Sequence, residues 1–563
     1  SLRSAVAHGL KLEQLSRSFV LASEKPLNWR MFTAELRQME RLDIPFFEHL
    51  IDGQELPLPE GLESIPGFMK ASGLDAARKR LETLDSAEIN FQEQLIRGAI
   101  AARHLKTSTP TAEGVSPKDS STISSSSAGS EATALRAETL RQEAFRLGDE
   151  LWSSAIRDRK GRPEWLGMDL GPDGESFHFG LIGPSLYSGA SGIGLLFARL
   201  ALASPDASAA SLWRERAWTC FASLAELAER NSNDQLFRLM RDLPYGISGS
   251  GGLLLALAFV DQAGIEAAAP LTTLLIQQLR SERLLADEGI DVIGGVSGLV
   301  GPLLHANTPE GLALATVCGE RLLNLQLESG GWSSSGAGTT RRPALTGFSH
   351  GAAGMAAALA RVAQATGDGR FADGARRAIA YERSVFVGEN NNWPDFRSSP
   401  EPDAFMWSWC HGAPGILLAR QVIVDAGLAD DQTAGEQQTA RASTVAALTR
   451  LLHAKHADPA VHLCCGVLGL TALLRSDAEA TGCTLDPIVD QAEREVFEQA
   501  QRNGSYTLFS VDNGSLNLPG LLTGKAGVAL GLLEAADWMC WLPGVLSAGL
   551  RMANSPAKSF TSG

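Results

Sequence analysis

The sequence predicts an all-α barrel of seven inner and seven outer helices, and three observations carry that reading. A Gly-x-x-Gly pattern recurs seven times between Gly189 and Gly524, each copy runs at once into an apolar stretch, and amphipathic segments fill the intervals. The copies begin at Gly189 (GASG), Gly249 (GSGG), Gly295 (GVSG), Gly351 (GAAG), Gly412 (GAPG), Gly466 (GVLG) and Gly524 (GKAG). Their mean spacing of about 56 residues exceeds that of the common two-helix repeats and leaves room for two helices with their loops. The first and last copies resemble the middle ones and bring no polar capping repeat, so the array is expected to close into a ring rather than stay an open solenoid.

Each element follows from its composition. GLLFARLALA after the first motif, LLLALAFV after the second, MAAALARVA after the fourth and VALGLLEAA after the seventh are rich in Ala and Leu and poor in β-branched residues. Such runs favour helix, and a helix apolar on all sides is buried between others. AASLWRERAWTCFASLAELAER (209–230) and ADGARRAIAYERSVF (372–386) gather their charges on one face and read as outer helices. The glycine pairs read first as places where a loop turns sharply and backbones approach closely. Ahead of the repeats, residues 1–105 place Leu and Ile at helical spacing among alternating charges, as in FTAELRQMERL and DAARKRLETL, and form a separate helical segment. Residues 106–134 are Ser/Thr-rich with almost no large apolar side chain, a linker that cannot support a core; the repeat body is 135–563.

Composition bounds the function. With 64 acidic against 49 basic residues the net charge is −15, which argues against a nucleic-acid partner and permits a neutral or basic peptide. No apolar run approaches the roughly eighteen residues of a membrane span. Seven cysteines, an odd and unevenly placed set without a signal peptide, point to reduced thiols in the cytoplasm. A chain opening at Ser1 without an initiator Met is expected to be a piece of a longer protein.

The chemistry-bearing residues keep register with the motifs. Cys410 stands two residues before the fifth glycine pair in WSWCHGAPG, and Cys464 and Cys465 stand directly before the sixth in HLCCGVLG. Equivalent repeats bring these thiols to the same end of neighbouring inner helices, where they can offer Zn²⁺ three ligands and leave a fourth position open. An alternative is a local site from His453, His456, His462 and Cys464, although His453 and His456, beside Lys455 and Asp458, also suit a solvated helix face. Cys220, Cys318, Cys483 and Cys540 read as small core residues. Asp291, an isolated carboxylate in IDVIGGVSG, and His350, directly before the fourth pair in GFSHGAAG, point to the same mouth.

Taken together, the seven GxxG repeats with SHGAAG, NWPDFR (392–397), SWCHGAPG, HLCCG and NLPGLLTGKAG resemble the C-terminal cyclase domain of class II lanthipeptide synthetases. Those bifunctional enzymes dehydrate and then cyclise ribosomally made peptides. MERLDIPFFEHL and ASGLDAARKRLETL resemble the tail of the family's dehydratase domain, whose kinase-like body has no counterpart here. The resemblance implies an α/α toroid holding one zinc on Cys410, Cys464 and Cys465, with His350 as acid/base residue and Asp291 as its acidic partner. ATP and Mg²⁺ would serve only the missing dehydratase part, which would be this domain's partner in the full-length protein.

Many relatives have Cys-His-Gly where this chain has Cys-Cys-Gly, which implies the three-thiolate subgroup. Simpler cyclases carry Tyr after the first zinc cysteine and Arg four residues before it; here those positions are His411 and Met406, and the arginine's role goes unassigned. The implied reaction adds a substrate Cys thiolate to dehydroalanine or dehydrobutyrine in a dehydrated precursor peptide, with His411 as a second candidate for proton transfer. Other readings are a non-catalytic toroid that binds peptides or thiols, and an α/α-barrel hydrolase or lyase, which would need paired carboxylates at the positions where thiols stand.

Overall fold

The computed structural model describes residues 4–25, 28–59, 61–104, 130–170, 177–229, 233–333, 343–397, 401–453, 459–508, 510–511, 514–515 and 518–551. The chain falls into two compact units, Ser1–Gln94 and Leu95–Gly563. Most of the expected linker lies outside the described residues, and a helix already begins at Ser130, inside the expected linker boundary.

The first unit is only partly helical. Helices Ala5–Leu21, Trp29–Glu40 and Gly73–Glu82 flank an irregular stretch built on Leu56, Leu58 and Ile65, against which Met31, Phe47, Leu62 and Phe68 pack. Pro45, Pro57 and Pro66 with Gly61 and Gly67 at positive φ keep that stretch out of helix despite its apolar spacing.

The second unit is the predicted ring. Among the described residues, the seven inner helices are Ala190–Ala203, Ser250–Gln262, Ser297–His305, Ala352–Thr366, Ala413–Asp425, Val467–Thr481 and Lys525–Ala536. Each packs on the next, and the seventh packs on the first, which closes the circle. The outer partners of the first six are Ala207–Thr219, Ala268–Ile276, Pro309–Leu325, Gly369–Ser384, Thr433–His453 and Pro487–Asn503; the seventh takes Ser130–Ser153, the helix that precedes the first repeat. The two chain ends of the repeat body thus share one repeat. In Gly369–Ser384, Phe371, Ala375, Ala378 and Ile379 are buried while Asp373, Arg376 and Arg377 face water, the period of a one-sided helix.

Outer and inner helices begin differently, and the difference explains the motif. Four of the outer helices carry side-chain caps: Asp206, Thr308, Asp368 and Asp486 each accept from a first-turn amide. Six inner helices begin at a glycine N-cap with no side-chain bond. In four of them the first amide donates to a carbonyl seven residues back, as in Ala190 to Gly183, Ala352 to Leu345 and Val467 to Ala460, each at 2.9 Å. The loop must therefore fold over the helix end, where a side chain has no room: a Cβ on Gly527 would lie 1.8 Å from the Leu521 carbonyl oxygen. Gly412 adds a positive φ of 80°, so it is required twice over.

Three details depart from the sequence reading. The stretch 209–230 is two helices, Ala207–Thr219 and Ala222–Glu229, because Phe221 turns fully into the core between them. Short antiparallel pairs interrupt the helical pattern, the longest joining Leu166–Leu170 to Phe177–Leu181 ahead of the first motif. Beyond the seventh inner helix, Trp541–Leu546 and the residues to Leu550 are buried inside the ring, with the Trp541 ring 4.6 Å from Phe259 and the Leu546 carbonyl accepting from the Trp409 indole at 2.7 Å. This segment fills the lumen.

Candidate functional site

All seven motif loops open at one end of the ring, and backbone hydrogen bonds rivet them into two arcs. Ile247 donates to Val292, Val292 to Ser349 and Ser349 to Cys410, which ties loops two to five. Cys464 donates to Leu522 and Leu522 to Tyr187, which ties loops six, seven and one. Between loops five and six the described residues show no such backbone bond. That join is where the thiols meet.

Cys410 reaches from one arc and Cys464 and Cys465 from the other, with sulfur separations of 2.9 Å (410–464), 3.8 Å (410–465) and 3.3 Å (464–465). All three are free thiols; Cys410 and Cys464 are buried and Cys465 is exposed. Zn–S bonds of about 2.3 Å at the tetrahedral angle set ligand sulfurs about 3.8 Å apart. The widest pair already matches, and the other two need to open by less than 1 Å. The donor set therefore fits zinc, with the exposed Cys465 marking the side from which a fourth ligand could enter. Hydrogen bonds from Cys410 and Cys464 hold the Cys465 thiol well below its ordinary range, while the same contacts raise Cys410.

Among the described residues this trio is the one group of three or more Cys, His, Asp or Glu side chains with ligand atoms within 4.8 Å of one another. Among the described residues, the members of the local alternative do not come together. His453 Nδ1 bonds the Thr449 carbonyl of its own helix, and His462 Nδ1 accepts from the Cys465 amide, while His456 lies outside the described residues.

Asp291 and His350 do meet. Their side chains join at 2.6 Å, Nδ1 to Oδ2, across loops three and four. The other carboxylate oxygen accepts from the Gly294 and Gly295 amides at 2.7 and 3.2 Å, so the aspartate is fixed before the histidine arrives. Burial alone would raise its pKa, but the bonds from His350 and the two amides win and hold it below the usual carboxylate range. His411 connects this pair to the thiols: it follows Cys410 in the chain and its ring stacks on His350 at 5.8 Å. It is almost wholly buried with neither ring nitrogen hydrogen-bonded, and burial together with Arg397 pushes it down to about 3, which keeps it neutral.

Two residues at the site escaped the sequence reading. The Tyr187 hydroxyl donates to the Cys464 sulfur at 3.0 Å. Arg397, from NWPDFR, forks onto Asp395 at 3.0 and 2.7 Å and reaches the Met406 sulfur at 2.9 Å; burial works to lower its pKa, but Asp395 above all, helped by Cys410 and Cys465, raises it. Its guanidinium thus lies beside Met406. Asn392 fastens this hairpin to the fifth loop by accepting from the Ala413 amide at 2.7 Å and donating to the Met406 carbonyl at 2.9 Å.

Seven inner helices, six of them started at a glycine, closed into a ring with a Cys–Cys–Cys cluster at the motif end, agree with the match of residues 181–539 to the lanthionine synthetase C-like protein family. The chain belongs to the lanthionine synthetase C-like family. No curated protein matches it by sequence. Among solved structures it is similar to nisin cyclase, at 18% identity over 64% of this chain and 92% of that one, with a TM-score of 0.49. It is also similar to an unsaturated glucuronyl hydrolase from Bacillus sp. GL1 (16% identity, 56% and 83% covered, TM-score 0.34). A third is cellobiose 2-epimerase from Spirochaeta thermophila DSM 6192 (12% identity, 71% and 98% covered, TM-score 0.34). Among the described residues of this lanthionine synthetase C-like chain, no helix is long and apolar enough to cross a membrane.

Proposed function

We propose that this chain is the zinc-dependent cyclase domain of a class II lanthipeptide synthetase, of the Cys-Cys-Gly subgroup, and forms lanthionine or methyllanthionine rings in a dehydrated precursor peptide. The observation that carries it is the convergence of Cys410, Cys464 and Cys465 across loops five and six, with sulfurs no more than 3.8 Å apart, in a chain of this family. The domain occupies about residues 135–563 and works in the cytoplasm, residues 1–105 being the tail of the dehydratase domain.

Cys410, Cys464 and Cys465 would hold the metal. When bound, zinc turns a cysteine thiol at its open position into a thiolate at neutral pH, the nucleophile for the β-carbon of a dehydroamino acid. The remaining work falls to the chain's own residues. Bond formation leaves an enolate whose α-carbon needs a proton, and His350 supplies or relays it. Asp291 holds the His350 ring through Nδ1, which leaves Nε2 as the nitrogen that faces substrate. Arg397 brings a positive charge to a centre crowded with thiolates and opposes the negative charge that develops on the dehydroamino acid's carbonyl. His411, neutral and stacked on His350, closes the ring face to water.

The test uses a predehydrated Cys-containing peptide with the zinc-loaded protein. Loss of free thiol at unchanged peptide mass is the expected result; binding without thiol loss would instead support a peptide- or thiol-binding toroid.

A further inference from the structure

The sulfurs of the cluster are not equivalent. Cys464 receives a side-chain hydroxyl, from Tyr187 at 3.0 Å. Cys410 and Cys465 meet the other sulfurs and, among the described residues, no such hydroxyl. The phenol comes from loop one, 277 residues away in sequence, and the same loop is tied through Leu522 to the backbone of Cys464 at 2.9 Å on either side. Side chain and main chain of Cys464 are therefore both fixed by the arc formed from loops six, seven and one. Cys410 belongs to the opposite arc.

We infer that Tyr187 is a positioning residue of the metal centre: its phenol orients Cys464 and draws charge from that sulfur, so that a three-thiolate site can hold its metal and still accept a fourth thiolate. This deepens the function proposed above and rests on it. Three thiolates outweigh a divalent ion, and an incoming substrate thiolate brings the centre to about −2. A site with a histidine in place of one cysteine is less negative by one charge. An O–H···S bond is the means by which a neighbouring group takes up part of such a surplus, since hydrogen bonds to ligand sulfurs tune metal sites without touching the metal. The bond also prearranges the two-cysteine half of the site, leaving Cys410 to complete it when the arcs are bridged.

Cobalt substitution reads this directly, because sulfur-to-cobalt charge-transfer bands report the electron density on the thiolates. Tyr187→Phe keeps the ring and removes only the donor. The expected result is an intact cobalt site whose band moves to longer wavelength and which gives up its metal at a chelator concentration roughly tenfold lower. Replacing Tyr187 with 3-fluorotyrosine, a stronger donor, should move the band the opposite way, and serves on its own if the Phe variant does not fold. Bands and chelator midpoints that match wild type in the Phe variant, or a band unmoved in the fluorotyrosine protein, would overturn the inference while leaving the cyclase reading intact. A wild-type protein with no thiolate-to-cobalt band would overturn both.

Discussion

At the far end of the inner helices, Arg199 is wholly buried against Glu534 of the seventh helix at 2.9 Å, and midway along the fifth inner helix Arg420 is wholly buried against Glu382 at 3.0 Å and Glu436 at 2.5 Å. At the mouth, the Asp291–His350 pair is about as close, at 2.6 Å, yet its side chains stay 26% and 34% exposed. The two ends of one ring thus treat charge in opposite ways. At the far end, guanidinium and carboxylate are sealed together. A sealed pair contributes little net stability over an apolar pair, but breaking it strands a charge in the core, so it fixes which helices meet. Arg199 and Glu534 do this at the closure between first and seventh helices. At the mouth the groups remain reachable, and one member is an imidazole that can change its protonation. Position along the inner helix separates a charge that specifies the fold from one that can do chemistry.

The comparison breaks most plainly at its structural end. Glu534→Ala should cost about 3 kcal/mol in denaturant unfolding by leaving the buried Arg199 with only the half-exposed Asp537 carboxylate, 3.2 Å away, as counter-charge, while the molecules that remain folded cyclise at the wild-type rate. A cost below about 1 kcal/mol would mean that the buried pair does not hold the closure. His350→Asn should do the reverse: cyclisation slowed by about 10²–10⁴-fold, with metal content and unfolding midpoint unchanged. Thiol consumption equal to wild type in that variant would move proton transfer to another residue. Asp291→Asn keeps an acceptor for the Gly294 and Gly295 amides but removes the charge facing His350, and should slow cyclisation by about tenfold. Cys483→Ala, a thiol away from the cluster, should leave rate and metal content unchanged and stability within about 0.5 kcal/mol.

The ring was legible because its signal repeats. Each glycine pair is dictated by a loop folding over a helix start, so the motif marks the mouth seven times, and Cys410, Cys464, Cys465, Asp291 and His350 could be placed by counting from it. What was not legible has two sources. Tyr187 stands two residues before Gly189, the same offset as Cys410 from Gly412 and Cys464 from Gly466, so the register that found the cysteines also held the tyrosine. Yet an aromatic at that offset reads as core, as Trp409 one place earlier indeed is. Arg397 has no register at all. It arrives on a hairpin between the fourth outer and fifth inner helices, held by Asn392 and by the Thr346 hydroxyl bonded to the Pro394 carbonyl at 2.5 Å, and no periodicity predicts where such an insertion lands. The lumen-filling segment 541–550 escaped for the same reason: it follows the last repeat, and a single copy has no pattern.

Metal stoichiometry tests the central claim most directly, that the mouth of the ring is built around three thiols acting as one site. Wild-type protein should carry about one zinc per chain, and Cys465→Ala, which alters the exposed ligand and leaves the buried pair in place, should lose most of it while keeping the unfolding midpoint of metal-stripped wild type. Full retention of zinc in Cys465→Ala would contradict the account.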